Sequence, residues 1–358
     1  MEVKEITDKG IYEKIWQEQN LHILQSWAWG EVKSTAYQPV RLLFSENAQT
    51  VFVLSLLSKK LSTFKITFAY IPKLALPRGK EAEIIKLLKD YCKEKLDLDF
   101  LLLEFAKTKT QLVPELKQLP DHALQIQPQQ TIQVILPNGN LWDGMKGNYR
   151  QNVRKAQKHG VIVLPYSNSK DVVGINIETR GEITNRDISP LEAFYSVMLE
   201  IFRNTKFLPR SKEYFTRIWE ILSAEGKAKI FLARFQKKVV GGYLVVYDHL
   251  GVYELYGGVT PQGRNLEAGY LLKYIAMLDA QKMQRKFYDH WGVAPKLQNN
   301  NFERTHDLYN ISLFKEGFGG EYLEFALPKV VVINALSYQI FTFLQRLNKL
   351  KTFFKKIA

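Results

Sequence analysis

The sequence predicts an α+β fold in which two similar units follow one another, each with a mixed central sheet flanked by helices. The chain has 358 residues, of which 46% are hydrophobic and 24% charged, and this is enough for two domains with cores of their own. Residues 41–105 and 228–293 show the same order of elements, with three strands, a helix and a further strand. Sequence identity between the two stretches is negligible, so the duplication is inferred from order and spacing alone.

The individual elements follow from apolar patterning. In the first stretch the strands RLLFS, TVFVLSLL and FKITFAYIPKLAL precede the helical EAEIIKLLKDYCKEKL and the strand DFLLLEF. In the second stretch AKIFLARF, VVGGYLVVYD and GVYELYGGV precede the helical LEAGYLLKYIAMLDAQKM and the strand FYDHWGV. We therefore expect a first domain at residues 1–145, completed by residues 320–358, and a second domain at residues 146–319.

Further elements are expected between the two stretches. TIQVIL is typical of a strand, and SPLEAFYSVMLEIFRNT is typical of a helix with Ser189 as its N-cap. Pro190 suits the first helical position, and Glu192 completes a capping box. SKEYFTRIWEIL predicts a shorter helix, and only SAEGKAK separates it from the next strand. That link leaves no room for a long helical insertion.

A run of positive charge also lies between the two stretches. GNYRQNVRKAQKHGV, residues 147–161, contains no acidic residue and is predicted to be a helix. Like charges four residues apart repel, so a cationic stripe indicates an anionic partner, although a solvated helix packed by its apolar face would show the same pattern. The apolar face would comprise Met145, Tyr149, Val153 and Ala156. The candidate phosphate-binding residues of the stripe are Lys146, Arg150, Arg154, Lys155 and Lys158.

The overall composition limits the class of protein. Fifty Lys and Arg residues outnumber 36 Asp and Glu residues, and the net charge of +14 favours a phosphate-bearing partner or an anionic membrane surface. The one cysteine, Cys92, excludes an internal disulfide and a cysteine-rich metal site, and its helical spacing suits packing. The polar N-terminus is unlike a signal peptide, and no apolar run approaches the roughly 20 residues of a membrane span. We therefore expect a cytoplasmic protein.

The segment from Ala335 onward is predicted to form an amphipathic helix, with no acid after Glu324. Such a helix either packs on the protein through its apolar side, which we favour, or makes a peripheral contact with the anionic inner face of the cell membrane. The apolar stripe consists of Leu336, Ile340, Phe343, Leu347, Leu350, Phe354 and Ile357. The basic residues are Arg346, Lys349, Lys351, Lys355 and Lys356.

The order of elements in each stretch resembles the acyl-CoA N-acyltransferase (GNAT) fold. In that superfamily a glycine-rich turn before the main helix brings backbone amides close to the pyrophosphate of acyl-CoA. This chain has PRGKEAE and PQGRNLEAG at the matching places, and neither fits the pattern, so no CoA cofactor is expected. The fingerprints of serine hydrolases, zinc proteases, P-loop proteins and dinucleotide-binding proteins are missing from the sequence. The six histidines do not fall at ligand spacing, so no metal site is expected.

Five short motifs occur in one order along the chain. The first, LQSWAWGEVK, is similar to a Gln-Ser-aromatic-x-Trp-Gly run that ends in a lysine. The second, PQQTIQVILPNGNLWDGMKGNYRQNVRKAQKHGV, combines a Pro-x-x-Thr strand with the basic helix, and ELYGG, FYDHWGV and LFKEGFGG follow. Together they resemble the FemAB/FemX family of peptidoglycan-bridge aminoacyltransferases over nearly the whole chain. The short SAEGKAK link makes the chain similar to compact members that lack a helical-hairpin arm.

The resemblance implies two GNAT-like units with degraded CoA turns and a reaction that takes an amino acid from aminoacyl-tRNA. The acceptor would be a peptidoglycan precursor, UDP-MurNAc-pentapeptide or lipid II, whose stem-peptide amine is acylated. Lys315 and Phe314 would lie at the ester, and Asp289 would accept a proton or brace a turn. The basic stripe would bind phosphates of the tRNA or of the precursor. The residues implied for precursor binding are Lys33, Trp29, Arg210 and Tyr256.

Two other functions fit parts of the sequence. A GNAT-like acyltransferase of cell-envelope polysaccharide synthesis would use acyl-CoA and ignore tRNA. A non-catalytic RNA-binding protein would need only the basic stripe and the excess of positive charge.

Overall fold

The structure is a computed structural model of the chain. It describes residues 1–136, 139–168, 170–171, 173–179, 182–203 and 210–357, without the side chains of 174–179, 182–186 and 348–357. The chain forms two compact units, one comprising Met1–Gln129 with Phe325–Ala358 and the other comprising Gln130–Glu324. The sequence places the divisions after residues 145 and 319 instead.

The predicted elements of the first unit form at the expected positions. In chain order its N-terminal part contains β1 (Glu2–Glu5), α1 (Lys9–Glu18), α2 (Trp27–Lys33), β2 (Gln38–Glu46), β3 (Gln49–Leu61), β4 (Ile66–Leu74), α3 (Glu81–Glu94), β5 (Phe100–Phe105) and α4 (Pro114–Lys117).

The second unit contains the predicted elements and a β-hairpin that the sequence did not predict. It begins with β6 (Gln130–Ile135), α5 (Gly147–Lys158), β7 (Val161–Tyr166), the hairpin β8 (Val173–Thr179) and β9 (Glu182–Ile188), α6 (Pro190–Arg203) and α7 (Lys212–Ala224). It continues with β10 (Ala228–Phe235), β11 (Lys238–Tyr247), β12 (Gly251–Val259), α8 (Pro261–Asn265), α9 (Ala268–Lys282), β13 (Phe287–Asp289), α10 (Tyr309–Glu316) and β14 (Glu321–Glu324). The chain then returns to the first unit with β15 (Lys329–Val332) and α11 (Ala335–Ile357).

The two sheets share one strand order. The first runs β1-β2-β3-β4-β5-β15 and the second runs β7-β10-β11-β12-β13-β6-β14. In each sheet the strands joined through the main helix, β4 with β5 and β12 with β13, pair in parallel, whereas the other neighbours are antiparallel. The prediction of two α+β units with the same internal order is therefore confirmed.

Different helices cover the two faces of the second sheet. On one face α9 lies over the strands and α5 packs against α9, and Lys273 Nζ lies 4.9 Å from the ring centroid of Tyr243 on β11. Helices α6 and α7 also pack on the sheet. The residue before Tyr243 is Gly242, where an added Cβ would lie 3.1 Å from Phe194 of α6. Because side chains alternate along a strand, α6 and α7 lie on the face opposite α9.

Several local predictions are confirmed in the second and first units. Ser189 Oγ accepts a 3.2 Å hydrogen bond from the amide of Glu192, as an N-cap does, and α6 begins at Pro190. Three residues separate the end of α7 from the start of β10, so no long insertion lies between them. Cys92 is buried, and burial raises its pKa to about 12, which fits packing in the core.

The C-terminal helix α11 packs on the first unit through residues that the sequence did not single out. Phe341 is buried against Phe68 and Phe100, and the Tyr338 hydroxyl lies 3.0 Å from His122 Nδ1. The described members of the predicted stripe are instead exposed: Leu336, Ile340, Phe343 and Leu347. The prediction that this stripe packs on the protein is therefore wrong for these residues. A helix turns about 100° per residue, so Tyr338 and Phe341 point away from the stripe.

The rest of the predicted stripe and most of its basic partners lie outside the described side chains. These are Leu350, Phe354, Ile357, Lys349, Lys351, Lys355 and Lys356. Within the described part of the chain, no helix is both long enough and apolar enough to cross a membrane.

Candidate active site

A buried polar cluster lies on the α9 face of the second unit. Lys273 is fully buried, and its Nζ lies 2.8 and 2.7 Å from the two carboxylate oxygens of Glu254 on β12. The Tyr288 hydroxyl donates a 2.7 Å hydrogen bond to the same carboxylate. Burial lowers the pKa of Lys273, and the contact with Glu254 opposes that shift. Since both charged groups are buried, each depends on the other for stabilisation.

His290 extends this cluster. It is fully buried, and its Nδ1 lies 3.3 Å from Lys273 Nζ. Burial, with the charges of Lys273 and Lys315, holds the pKa of His290 well below its usual range, so the imidazole is neutral. An ammonium can only donate, so we assign Nδ1 as the acceptor and place the proton on Nε2. Nε2 has no hydrogen-bond partner among the described residues, which makes it a spare donor inside the cluster.

Lys315 reaches from the end of α10 to the turn that follows β13. Its Nζ donates a 2.7 Å hydrogen bond to the Gly292 carbonyl and lies 3.5 Å from the Trp291 carbonyl. Burial, and next the positive charge of Lys273, lower the pKa of Lys315 to about 7. An amine with such a pKa exchanges protons at physiological pH, which is a property that acid–base and electrostatic catalysis use.

The turn that receives Lys315 is conformationally unusual. Trp291 has φ of 61°, a left-handed conformation that bulky residues rarely adopt. Asp289 accepts hydrogen bonds from the Trp291 amide at 2.7 Å, from Gln133 Nε2 at 2.8 Å and from Thr131 Oγ1. These three donors favour the interpretation that Asp289 braces the turn. Its role as a proton acceptor stays a prediction.

The LFKEGFGG motif and the basic helix α5 pack directly on one another. A Cβ on Gly317 would lie 1.9 Å from the ring of Tyr149, so only glycine fits there. The Tyr149 hydroxyl donates a 3.0 Å hydrogen bond to the Leu313 carbonyl, and the Lys146 amide donates one to the Gly317 carbonyl. Gly319, with φ of 88°, passes close to the Gly144 carbonyl. The segment that carries Lys315 is thus fixed to the start of the basic helix.

Phe314 joins the aromatic residues that surround Lys273. Its ring centroid lies 5.1 Å from that of Tyr270 and 5.2 Å from that of Phe318, and Lys273 Nζ lies 5.8 Å from it. Phe314 therefore lies beside the polar cluster, and its place at the ester together with Lys315 stays a prediction.

The basic stripe lies on the surface, with its apolar face buried as predicted. Arg154, Lys155 and Lys158 are exposed. Arg150 donates a 3.2 Å hydrogen bond to the Trp142 carbonyl, and Arg154 lies 5.3 Å from the Trp142 ring centroid. Residues 147–161 contain no acidic residue. Lys146, however, pairs at 3.4 Å with Glu316, which lies 170 residues later in the chain. This pair connects the stripe to the residue beside Lys315.

Arg210 and Tyr256 meet on the opposite face of the second sheet. The Tyr256 hydroxyl lies 3.1 Å from that of Tyr214, and the Arg210 guanidinium lies 5.7 Å from the Tyr214 ring centroid. Arg210 also hydrogen-bonds to Tyr256. A bulge in β12 pairs Glu254 with Val245 but Tyr256 with Leu244, so these two residues point to opposite faces. Arg210 and Tyr256, both implied for precursor binding, thus lie together, and that role stays a prediction.

The motif LQSWAWGEVK of the first unit serves mainly to build the fold around α2. Gln25 donates to the Pro72 carbonyl at 2.6 Å and accepts from the Ser55 amide at 2.9 Å, which joins β4 to β3. Trp29 is buried, and Lys33 Nζ lies 5.0 Å from a Trp29 ring centroid. Precursor binding by Trp29 and Lys33 stays a prediction, in which Trp29 would orient Lys33 from below.

The turn before α3 places a carboxylate where a CoA-binding loop presents amides, and a glutamate whose side chain caps no amide precedes α9. In the first unit Glu81 is buried and accepts a 2.6 Å hydrogen bond from the Gly79 amide. In the second unit Glu267 precedes α9 in a left-handed conformation. A carboxylate at a helix N-terminus occupies the position that favours anions and repels a phosphate.

Comparison with known families identifies the part of the chain that carries this cluster. The model of the FemAB family matches residues 224–346, a range that contains Glu254, Lys273, His290 and Lys315. The match is limited to residues 224–346, so this part of the chain resembles the FemAB family. A search of curated proteins finds no match to the chain.

Solved structures share the fold of the chain over nearly its whole length. A crystal structure of FemX matches with a TM-score of 0.75 and 18% identity over 95% of this chain and 99% of that one. A structure of L-PGS from Bacillus licheniformis matches with a TM-score of 0.54 and 11% identity over 94% and 95%. A putative lysylphosphatidylglycerol synthetase domain from Agrobacterium fabrum gives 0.52 and 11% over 93% and 94%. The predicted fold of two GNAT-like units is confirmed.

Sequence reasoning missed most of the cluster. Lys273 interrupts the apolar run LLKYIAM of a helix, a position where an unpaired lysine would be costly, and this was the available signal. Glu254 in ELYGG and His290 in FYDHWGV belong to motifs that were recognised, yet pattern alone does not reveal that they face Lys273. The bulge in β12 decides that question, and bulges leave little trace in sequence.

We expect Glu254→Gln to lower the free energy of unfolding by about 3–5 kcal/mol, because it leaves Lys273 buried without a counter-charge. Glu254→Gln with Lys273→Met should recover most of this loss. Urea unfolding provides the measurement, and Glu192→Gln, which breaks an exposed pair with Lys212, is the control with a cost of about 0–1 kcal/mol. Equal costs for the two single variants would contradict a stabilising role of the buried pair.

Proposed function

We propose that this protein is a member of the FemAB family and an aminoacyltransferase that moves an amino acid from aminoacyl-tRNA to the stem-peptide amine of a peptidoglycan precursor. The observation that carries the proposal is the packing of the Lys315 segment on the start of α5, with Glu316 paired to Lys146. A surface suited to phosphates and a buried amine suited to acyl transfer thereby share one rigid junction. The family match supports acyl transfer in general terms.

The reaction is the aminolysis of an ester. The precursor amine attacks the ester carbonyl carbon, a tetrahedral oxyanion forms, the bond to the tRNA ribose oxygen breaks and that oxygen takes up a proton. The ester is already activated, so the protein has to hold the two substrates, remove the amine proton and stabilise the oxyanion. In this proposal charged Lys315 stabilises the oxyanion, with Phe314 beside the aminoacyl group.

Other residues would hold the two substrates away from the reacting atoms. The stripe residues Arg150, Arg154, Lys155 and Lys158 would bind backbone phosphates of the tRNA, because they are cationic and lie on the surface. Arg210 with Tyr256 would bind a precursor phosphate or sugar, since a guanidinium forms paired charge-assisted bonds with phosphate. Lys33 and Trp29 would contribute in the first unit. The use of charged tRNA places the proposed reaction in the cytoplasm.

An acyl-CoA donor is the main alternative, and the helix N-termini argue against it. Glu81 already accepts from the Gly79 amide at the start of α3, and Glu267 precedes α9. A pyrophosphate would have to displace or face these carboxylates.

The donor can be identified by incubating the purified chain and a peptidoglycan precursor with labelled aminoacyl-tRNA or with labelled acyl-CoA. We expect label in the precursor only from charged tRNA, and ribonuclease treatment of the donor should abolish the transfer. Transfer from acyl-CoA would establish the alternative donor. RNA binding without transfer from either donor, over a full set of amino acids, would leave only a binding protein.

A further inference from the structure

The C-terminal helix α11 has two apolar faces, and the fold covers one of them. Tyr338 and Phe341 pack on the first unit. Leu336, Ile340, Phe343 and Leu347 recur at intervals of four, three and four residues and therefore share another face. Leu336 is 66% exposed and Phe343 is 60% exposed. In the sequence, Leu350 and Phe354 continue the same spacing.

A continuous apolar row of this length on the surface indicates an interaction site. Single exposed apolar residues are normal, but a row of neighbouring ones along a helix leaves a contiguous patch in water. The row does not serve the packing of α11, because its aromatic side already does so. Something outside the folded chain is therefore expected to cover it.

The charges around the row decide which occupant fits. From Ala335 to Ala358 the chain contains five Lys and Arg residues and no Asp or Glu. A second copy of this helix would bring the same charges and repel the first, so self-association is disfavoured. An anionic lipid surface satisfies both properties, because it accepts apolar side chains between its headgroups and attracts cations.

We infer that the Leu336–Ile340–Phe343–Leu347 face of α11 docks on an anionic lipid surface. The helix lies in the plane of the headgroups, with its aromatic side still packed on the first unit. Arg346 is exposed beside the row and reaches the headgroups, since long basic side chains keep their charge at the interface while their stems lie on apolar surface. This inference concerns a surface of the first unit and holds whether or not the proposed reaction is correct.

The full chain should co-sediment with phosphatidylcholine vesicles in which about one lipid in three is phosphatidylglycerol. Vesicles of phosphatidylcholine alone should bind it at least about tenfold more weakly, and added salt should weaken the anionic binding. Phe343→Ser with Leu347→Ser should lower the partition by about tenfold or more. Both residues are exposed, so the melting temperature should stay within about 2 °C of the parent.

The matched control changes two exposed apolar residues elsewhere on the first unit. Ile11 and Phe64 are 51% and 47% exposed, and Ile11→Ser with Phe64→Ser should leave vesicle binding unchanged. Absence of binding to anionic vesicles would overturn the inference, and so would full binding by the Phe343 and Leu347 variant. A concentration-dependent dimer in sedimentation velocity that this variant abolishes would assign the face to a second copy instead.

Discussion

Lys315→Met should lower the single-turnover transfer rate by about a hundred- to a thousand-fold per folded molecule. Loss of a group that stabilises a developing oxyanion typically costs about 2.7–4 kcal/mol in the transition state. The affinity for tRNA should stay nearly the same, because the stripe that we propose to bind phosphates is untouched. A mutant rate within about threefold of the parent would end the catalytic assignment of Lys315.

The stability of Lys315→Met should change little, because two effects oppose each other. The variant leaves the Gly292 carbonyl without its donor, and hydrogen bonds to charged groups are worth about 1.5–3 kcal/mol. It also removes the cost of burying an ammonium, which the pKa of about 7 reveals. Thermal unfolding measured beside the transfer rate separates a catalytic lysine from one that only holds the turn.

Lys329 provides a close control for this substitution. Lys315 and Lys329 are both 8% exposed, and each donates to backbone carbonyls. Lys329 lies in the first unit and pairs with Asp121 at 2.7 Å. Lys329→Met should lower stability and leave the transfer rate per folded molecule within about twofold. Equal rate losses in the two variants would indicate a general effect of removing a buried lysine.

The pH dependence provides an independent readout of the same residue. A charged Lys315 is lost as pH rises through about 7, so the ratio of parent rate to Lys315→Met rate should fall above that pH. The ratio removes the opposing effect of deprotonating the acceptor amine, which is common to both proteins. If the neutral amine were the active form, acting as a base, the ratio would rise instead.

The same shift has a defined effect on stability. An unfolded lysine has a pKa near 10.4, so between about pH 7 and 10.4 the unfolded chain binds more protons at Lys315 than the native chain does. The contribution of Lys315 to the free energy of unfolding therefore increases as pH rises across this window. Lys315→Met should lack that increase.

Arg150→Glu with Arg154→Glu should weaken tRNA binding by roughly tenfold or more and flatten its dependence on salt. Each phosphate contact that is lost removes about 0.7–0.9 from the slope of log affinity against log salt. Both residues contact Trp142, so a variant with Gln at both positions tests whether local packing contributes. The Gln variant should fall between the parent and the Glu variant if charge is the cause.

Lys89→Glu with Lys93→Glu is the matched control for the stripe. These lysines are exposed and four residues apart on α3, so the change in charge and spacing is the same as in the stripe. The control should keep at least about half of the parent affinity and the parent salt slope. An unchanged slope in the stripe variant would assign the stripe to the precursor phosphates or to no ligand.

The sequence predicts the repeated order of strands and helices because apolar periodicity is a local property. The same reasoning located α5 and its buried face, with Tyr149 and Val153. It failed where contacts between distant segments decide the outcome. Glu316 pairs with Lys146 across 170 residues, and no local pattern shows that.

The C-terminal helix shows the same limit in another form. The apolar row from Leu336 to Leu347 was correctly identified as one face, but the fold uses Tyr338 and Phe341 for packing. A helix with apolar residues on two sides has no sequence feature that says which side meets the core. The polar cluster around Lys273 was missed for a related reason, since a bulge in β12 aims Glu254 at α9.

The central claim is most directly tested by the mass of the precursor after incubation with the purified chain and a full set of aminoacyl-tRNAs. We predict that the precursor gains the mass of one amino-acid residue on its stem-peptide amine, and that ribonuclease treatment of the tRNA beforehand prevents this gain. An unchanged precursor mass with both the nucleotide-linked and the lipid-linked acceptor, from folded protein that binds tRNA, would contradict the account.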